Sequence, residues 1–320
     1  MKNHDFLKDV LVVTVKKSFW ASKECSIFPN RLYATVLFGH SRNIINTLLT
    51  TFKALIYCFQ HKPKLIVFGS SAKVVPFFIF LKMIGLLQNL KIITTTQLYY
   101  SDSAVKYLDK IIVYSKSQII RHSPSIRNKY VFIPLPADGI FEDKRIESNE
   151  LYIFSGGGDT RDFPTLIQAI EGLDVQLKIV TFSPQHLGYQ GEIPKNCDIY
   201  WKIPLEAFIQ LMANSLFVVV PLMKTNLPHG HTTVVQALCS GKAVLSNSDA
   251  SVEDYITDGK EGLLVPPGNI KAYQKAILKL YHDHTFRKQC EAGAKLKAKE
   301  LTYENFANRL INLCKEVINN

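Results

Sequence analysis

The chain has 320 residues, 47% of them hydrophobic and 20% charged, enough to bury a core in each of two domains. Its six cysteines (Cys25, Cys58, Cys197, Cys239, Cys290 and Cys314) are scattered without a close pair, which argues against a zinc site or a disulfide scaffold and for a reducing compartment. The formal charge of +11 is lopsided: residues 1–142 hold 19 Lys and Arg against 7 Asp and Glu, residues 143–320 hold 19 against 20. A basic half of this kind suits a polyanionic partner. No zinc-ligand spacing or RNP-type aromatic motif is present, so an anionic membrane surface is the expected partner and nucleic acid is not.

Asp5, Lys8 and Asp9 interrupt the start and no cleavage pattern follows, so no signal peptide is expected. The first half alternates strand and helix. Val10–Val15 reads as a buried strand and Tyr33–Phe38 as a second. Residues 42–59 form a helix, with Ile44, Ile45, Leu48, Leu49, Phe52, Leu55 and Ile56 on a helical period. Leu65–Phe68 is a strand, and the apolar run 74–87 is a buried helix too short to span a bilayer. Strands at 92–95, 111–114 and 131–133 complete the half, and the polar run 143–150 is a linker.

The alternation then restarts. Strands are expected at 151–155, 177–181, 199–201 and 217–220, with helices at 163–170 and 205–213. The richest segment is 228–268. A helix opens at Gly230-His231-Thr232-Thr233 and stops at Ser240-Gly241, and a short strand follows at 243–245. A small helix at 252–256, an Asp258-Gly259 turn and a strand at 262–265 close the unit. Three amphipathic helices (270–281, 286–299, 303–318) end the chain. Helices alternating with short strands make parallel sheets. In such sheets ligands sit at the carboxyl ends of the strands against helix N-termini, so an anion has a seat at residues 230–233. An ordinary helix cap is the alternative there.

Several of these segments together resemble a known family. They are Asp109–Ser115 (DKIIVYS), Val131–Asp138 (VFIPLPAD) with Phe141, and Tyr152–Gly157 (YIFSGG) followed by Arg161 and Asp162. Gln236–Val244 (QALCSGKAV), Asp254–Gly259 (DYITDG) and Gly262–Gly268 (GLLVPPG) complete the set. From about residue 109 onward the chain resembles the GT-B glycosyltransferases of the family 4, group 1 type. The resemblance implies an α/β protein of two Rossmann-like parallel-sheet domains facing a central cleft. Residues 1–142 would take the acceptor and residues 143–302 the nucleotide-sugar, while 303–320 would pack back toward the first domain. It further implies an enzyme that moves a sugar with retention to a polysaccharide or lipid-linked acceptor in cell-surface glycan synthesis; with the scattered cysteines and the basic half, the expected location is cytoplasmic, peripheral at the inner membrane face. No metal and no cofactor beyond the nucleotide-sugar itself are expected.

Cleavage of the donor's glycosidic bond builds charge on phosphate oxygens, which calls for fixed positive groups. The resemblance puts Arg161 where the family has a phosphate-binding cation, and a guanidinium grips a diphosphate bidentately. A surface pairing with Asp159 or Asp162 is the alternative. Gly156, Gly157 and Gly158 would let the donor lie against backbone, though their spacing is no dinucleotide fingerprint. Gly230, Thr232 and Thr233 would supply backbone and hydroxyl donors, and Gln236 a partner for the ribose. His229 and His231 would contact sugar hydroxyls or phosphate, or remain solvated loop histidines.

Three departures from the family's pattern stand out. Pro228 and Gln236 occupy the positions of two glutamates, Lys16-Lys17-Ser18 replace a glycine-rich loop, and Thr95-Thr96-Gln97 replace a histidine. Asp102 is the candidate base by position alone. These losses leave two other readings open, a catalytically silent binding or regulatory protein and a nucleotide-sugar epimerase.

Overall fold

A computed structural model describes residues 5–15, 24–34, 44–69, 72–95, 100–137, 150–158, 160–225, 228–249 and 251–320. Lys16-Lys17-Ser18, Thr96-Gln97, Asp138, Phe141, Asp159 and nearly all of the expected linker lie outside them. The chain divides into two compact units, residues 1–134 with 303–320, and residues 135–302.

The first unit carries strands β1 (Val10–Val15), β2 (Asn30–Ala34), β3 (Leu65–Phe68), β4 (Lys91–Thr95), β5 (Lys110–Val113) and β6 (Tyr130–Phe132). Its helices are α1 (Ile44–His61), α2 (Val75–Met83) and the short α3 (Asp102–Val105) and α4 (Ser117–Ile120). All strands pair in parallel in the order β2-β1-β3-β4-β5-β6. Successive side chains on a strand point to opposite faces, so each apolar strand feeds two cores. Leu11, Val13, Ile66 and Phe68 pack with Ala54, Cys58 and Phe78 on one side. Val10, Val12, Leu65 and Val67 pack on the other side with Phe306, Leu310, Cys314 and Val317. Those last four belong to the final helix of the chain, which is why it counts with the first unit.

The second unit carries β7 (Tyr152–Gly156), α5 (Phe163–Ile170), β8 (Gln176–Thr181), α6 (Pro184–Leu187), β9 (Cys197–Trp201), α7 (Leu205–Asn214) and β10 (Val218–Val220). It continues with α8 (His231–Cys239), β11 (Val244–Asn247), β12 (Gly262–Val265), α9 (Ile270–His282) and α10 (His284–Ala298), after which α11 (Tyr303–Asn319) returns to the first unit. Its sheet is also parallel, in the order β12-β11-β10-β7-β8-β9. The order reverses between β7 and β10. That pair is the topological switch point of a doubly wound sheet, outside whose carboxyl ends ligands bind.

Three expectations are corrected. The boundary falls at Leu135, ahead of the expected 143, because Leu135 N–H donates to Tyr255 Oη (3.0 Å) and Ala137 N–H to the Leu301 carbonyl (2.8 Å), both in the second unit. The expected helix at 252–256 is a set of turns, with Ile256 N–H returning to the Val252 carbonyl at 2.9 Å and no further turn to propagate it. The apolar run 74–87 stays helical only to Met83 and then turns at Gly85, whose φ is +87°.

The docking of α11 gives a stability prediction. Leu310 is fully buried, so Leu310→Ala is expected to cost about 2–5 kcal/mol, read as a lower urea midpoint. Leu296→Ala, at a side chain 61% exposed, is expected to leave the midpoint nearly unchanged. Equal midpoints for both variants would contradict the docking.

Candidate functional site

At the switch point, the loop leaving β7 lies against the segment leaving β10. Met223 N–H donates to the Thr160 carbonyl and Asp162 N–H to the Pro221 carbonyl, each at 3.0 Å. Arg161 thus pairs antiparallel with Leu222. Asp162 caps α5, its Oδ1 accepting from Thr165 N–H at 3.2 Å. It is therefore a cap and not the partner of Arg161.

The Arg161 side chain turns inward and is 6% exposed. Its Nε donates to the Gly156 carbonyl (3.2 Å) and one terminal nitrogen to Thr233 Oγ1 (2.9 Å). No carboxylate among the described residues pairs with it. Burial lowers its pKa to about 10, which still leaves it charged at neutral pH. Gly157 explains how the guanidinium fits. Its φ is +136°, and a Cβ there would lie 2.7 Å from Arg161 Nε. The space above Gly156 is filled by the Phe208 ring and that above Gly158 by Phe182. Each of the three glycines therefore seats a side chain of the protein itself. Phe182 is 54% exposed at the end of β8.

Thr233, the partner of Arg161, sits in the first turn of α8. Gly230 caps that helix with φ +83° and has no side chain to satisfy it. A Cβ at Gly230 would lie 2.8 Å from Leu222 Cδ2. The first intrahelical bond runs from Val234 N–H to the Gly230 carbonyl (3.1 Å). The N–H groups of His231, Thr232 and Thr233 thus have no carbonyl of their own helix and carry the positive end of its dipole. Thr232 is exposed and Gln236 half-buried, and neither side chain makes a hydrogen bond among the described residues.

The two histidines differ. His229 Nε2 lies 3.0 Å from the Met223 carbonyl and so donates to it, while Nδ1 faces Thr225 Oγ1 at 3.5 Å. This ring braces the loop before α8. The His231 ring lies 5.4 Å from that of Tyr255, and its Nε2 is sealed from solvent without a partner among the described residues. Its pKa falls to about 4, chiefly through burial and then through His229. The Ser251 backbone favours the protonated ring but does not outweigh burial. His231 is therefore a neutral, buried ring whose Nε2 faces protein and not solvent.

Four buried side-chain polar atoms lack a partner among the described residues: Ser155 Oγ, Thr181 Oγ1, Asn247 Nδ2 and His231 Nε2. Ser155 is next to last in β7, Thr181 ends β8, Asn247 ends β11 and His231 begins α8. All four lie along the carboxyl edge of one sheet. A buried polar group left unpaired costs about 1–3 kcal/mol, and these four atoms are sealed from solvent along that edge. The sequence reading named only His231 of the four. The others end ordinary apolar strands and gave no local signal. Asp102 belongs to the other unit, where it opens α3 half-exposed with Oδ1 3.9 Å from His122 Nδ1.

Comparison with known proteins bears on this site. Residues 162–297 match the family described as Glycosyl transferases group 1, a stretch that contains α5, α8 and most of the carboxyl edge. No curated protein matches the chain. Among solved structures, a glycosyltransferase from Rickettsia africae ESF-5 is similar at TM-score 0.70 and 14% identity, over 99% of this chain and 94% of its own. HepE of Anabaena in complex with UDP and glucose is similar at TM-score 0.68 and 12% identity, over 99% and 96%. Sucrose-phosphate synthase from Thermosynechococcus elongatus follows at 0.67 and 16%, over 91% and 83%. The expected fold class of two Rossmann-like parallel sheets is the one observed.

The buried imidazole predicts a pH dependence. Between about pH 4 and 6.5 the unfolded chain binds a proton at His231 that the folded chain does not. Its contribution to stability is therefore complete above pH 6.5 and declines as pH falls toward 4. The stability difference between wild type and His231→Gln is expected to shift against wild type by on the order of 1–3 kcal/mol from pH 7 to pH 4.5, measured by urea unfolding. A difference independent of pH would contradict a sealed, neutral His231.

Proposed function

We propose that this glycosyltransferase, a GT-B enzyme of the group 1 type, takes its sugar from a nucleoside diphosphate sugar held along the carboxyl edge of the second unit. One observation carries the reading: a charged guanidinium, buried at the switch point without a carboxylate partner among the described residues, lies against an uncapped helix N-terminus. Burying such a charge unpaired costs several kcal/mol, and a bound diphosphate supplies the missing anion.

The chemistry follows from these groups. As the glycosidic bond lengthens, negative charge grows on the departing diphosphate. Arg161 and the N–H groups of His231, Thr232 and Thr233 stand already oriented toward anionic oxygen, so little reorganisation is needed at the moment of reaction. Thr232 adds a hydroxyl at the exposed rim, and Gln236 offers its amide to the ribose. Gly156, Gly157 and Gly158 act by seating Phe208, Arg161 and Phe182, and His229 acts by bracing the loop. HepE was captured with UDP and glucose, which makes UDP the first nucleotide to try.

The finer parts of the reading rest on the motif resemblance. They are retention of configuration without a metal, an acceptor held by the first unit with Asp102 as the candidate base, and a polysaccharide or lipid-linked acceptor for cell-surface glycan. Cytoplasmic work at the inner face of a membrane rests on the scattered cysteines and the lopsided charge. The basic first unit favours an anionic surface there, and no described helix is long and apolar enough to cross a membrane.

The test is calorimetric. Arg161→Ala is expected to weaken UDP binding about tenfold to a hundredfold, the worth of hydrogen bonds to a charged group, and Arg161→Lys by less. Thr232→Ala, at an exposed position, should lower affinity while leaving the melting temperature unchanged. Affinity unchanged in folded Arg161→Ala removes the arginine from the site. Binding by wild type without sugar transfer or donor hydrolysis, across several donors and lipid acceptors, would instead support the silent reading that Pro228 motivates.

A further inference from the structure

In the first unit, α1 is built inside out. Thr50, Thr51, Ala54 and Cys58 are buried, while Leu48, Leu49, Phe52, Ile56 and Phe59 are exposed, Leu48 and Phe52 at 62% each. Positions 48, 52, 56 and 59, with 49 beside them, fall on one face of a 3.6-residue helix. The small residues let the helix approach the sheet closely, and the large apolar ones look outward. Next along the chain, α2 exposes Phe77, Phe80 and Met83, and the turn after it exposes Ile84 and Leu86. The two apolar surfaces adjoin, because Cys58 and Phe59 of α1 and Leu86 and Leu90 of that turn line one cavity of about 460 Å3. Lys62 and Lys64 also line it. Lys64 pairs with Asp9 at 2.8 Å. Lys62 is exposed and has no carboxylate partner among the described residues.

Monomeric soluble proteins rarely leave a contiguous apolar surface of this extent uncovered. Charge decides what covers it. Residues 25–101, which contain both helices, hold eight Lys and Arg and not one Asp or Glu; Lys64 pairs with Asp9, and Lys82 and Lys91 with Asp109, leaving Lys53, Lys62 and Lys73 without a carboxylate partner among the described residues. Exposed Lys53, Lys62 and Lys73 stand on or beside the apolar surface. A second copy of the chain is a poor occupant, since a two-fold interface sets a patch against itself and would bring these cations together with no acid to offset them. An anionic bilayer leaflet suits both properties. Apolar side chains enter the boundary between headgroups and acyl chains, and lysines meet lipid phosphates.

We propose that the outward face of α1 with the exposed side chains of α2 and its following turn is the surface by which the protein docks on an anionic leaflet, with Lys62 at the cavity taking a lipid headgroup. The inference narrows the membrane contact named under the proposed function to one surface. It does not depend on the donor site.

Flotation of the full chain with vesicles tests it. Wild type is expected to float with equimolar phosphatidylglycerol and phosphatidylcholine and to remain in solution with phosphatidylcholine alone. Phe52→Asp combined with Phe59→Asp should weaken binding at least tenfold, and Lys62→Gln about fivefold, the share of one lysine near an anionic surface. Both changes lie at exposed positions, so melting temperature and UDP affinity should match wild type, and a failure of the donor reading would appear separately as wild type that does not bind UDP. Three results would each overturn the proposal: variants that float like wild type, equal binding to neutral vesicles, or a wild-type dimer that the double variant dissolves and that does not float.

Discussion

The second unit is organised around a buried positive charge that no carboxylate among the described residues neutralises. Arg161 is held by the Gly156 carbonyl and the Thr233 hydroxyl, both neutral acceptors, and its burial is a cost that packing alone does not repay. The neighbouring features depend on accommodating it. Gly157 is a glycine because a Cβ would strike the guanidinium. The Thr160–Asp162 segment pairs with Pro221–Met223 so that the side chain is aimed into the switch point. Gly230 opens α8 without a capping side chain, so Thr233 receives Arg161 while three backbone N–H groups remain for something else.

In the proposed reading the guanidinium and the helix N-terminus are the donors for anionic oxygen, while His231 is kept neutral by burial. Ser155, Thr181 and Asn247 extend the same edge with polar atoms that the protein leaves unpartnered among the described residues.

Much of the fold was legible in the sequence, for identifiable reasons. Val10–Val15, Leu65–Phe68 and Gly262–Val265 are short apolar runs bounded by turn residues, and strands formed at those positions. Helix α5 follows from Asp162 capping an apolar period at Phe163–Ile170. The turns at 252–256 looked helical because one turn of helix and a tight loop share the same local pattern. In the site, Arg161, Thr233 and His231 could be named from motifs and helix starts. Ser155, Thr181 and Asn247 could not, since they come together only through the strand order β12-β11-β10-β7-β8-β9. The outward face of α1 was hidden for a related reason. The apolar period at Leu48, Leu49, Phe52 and Ile56 announces a helix, but which side meets the sheet depends on the small residues Thr50, Thr51, Ala54 and Cys58 packing there instead.

A crystal structure of the protein with UDP tests the central claim most directly. The account predicts the diphosphate at the N-terminus of α8, with its oxygens within hydrogen-bond distance of the N–H groups of residues 231–233 and the Arg161 guanidinium turned toward it. A nucleotide bound away from the carboxyl edge of the second sheet, with Arg161 still engaged only by Gly156 and Thr233, would contradict it.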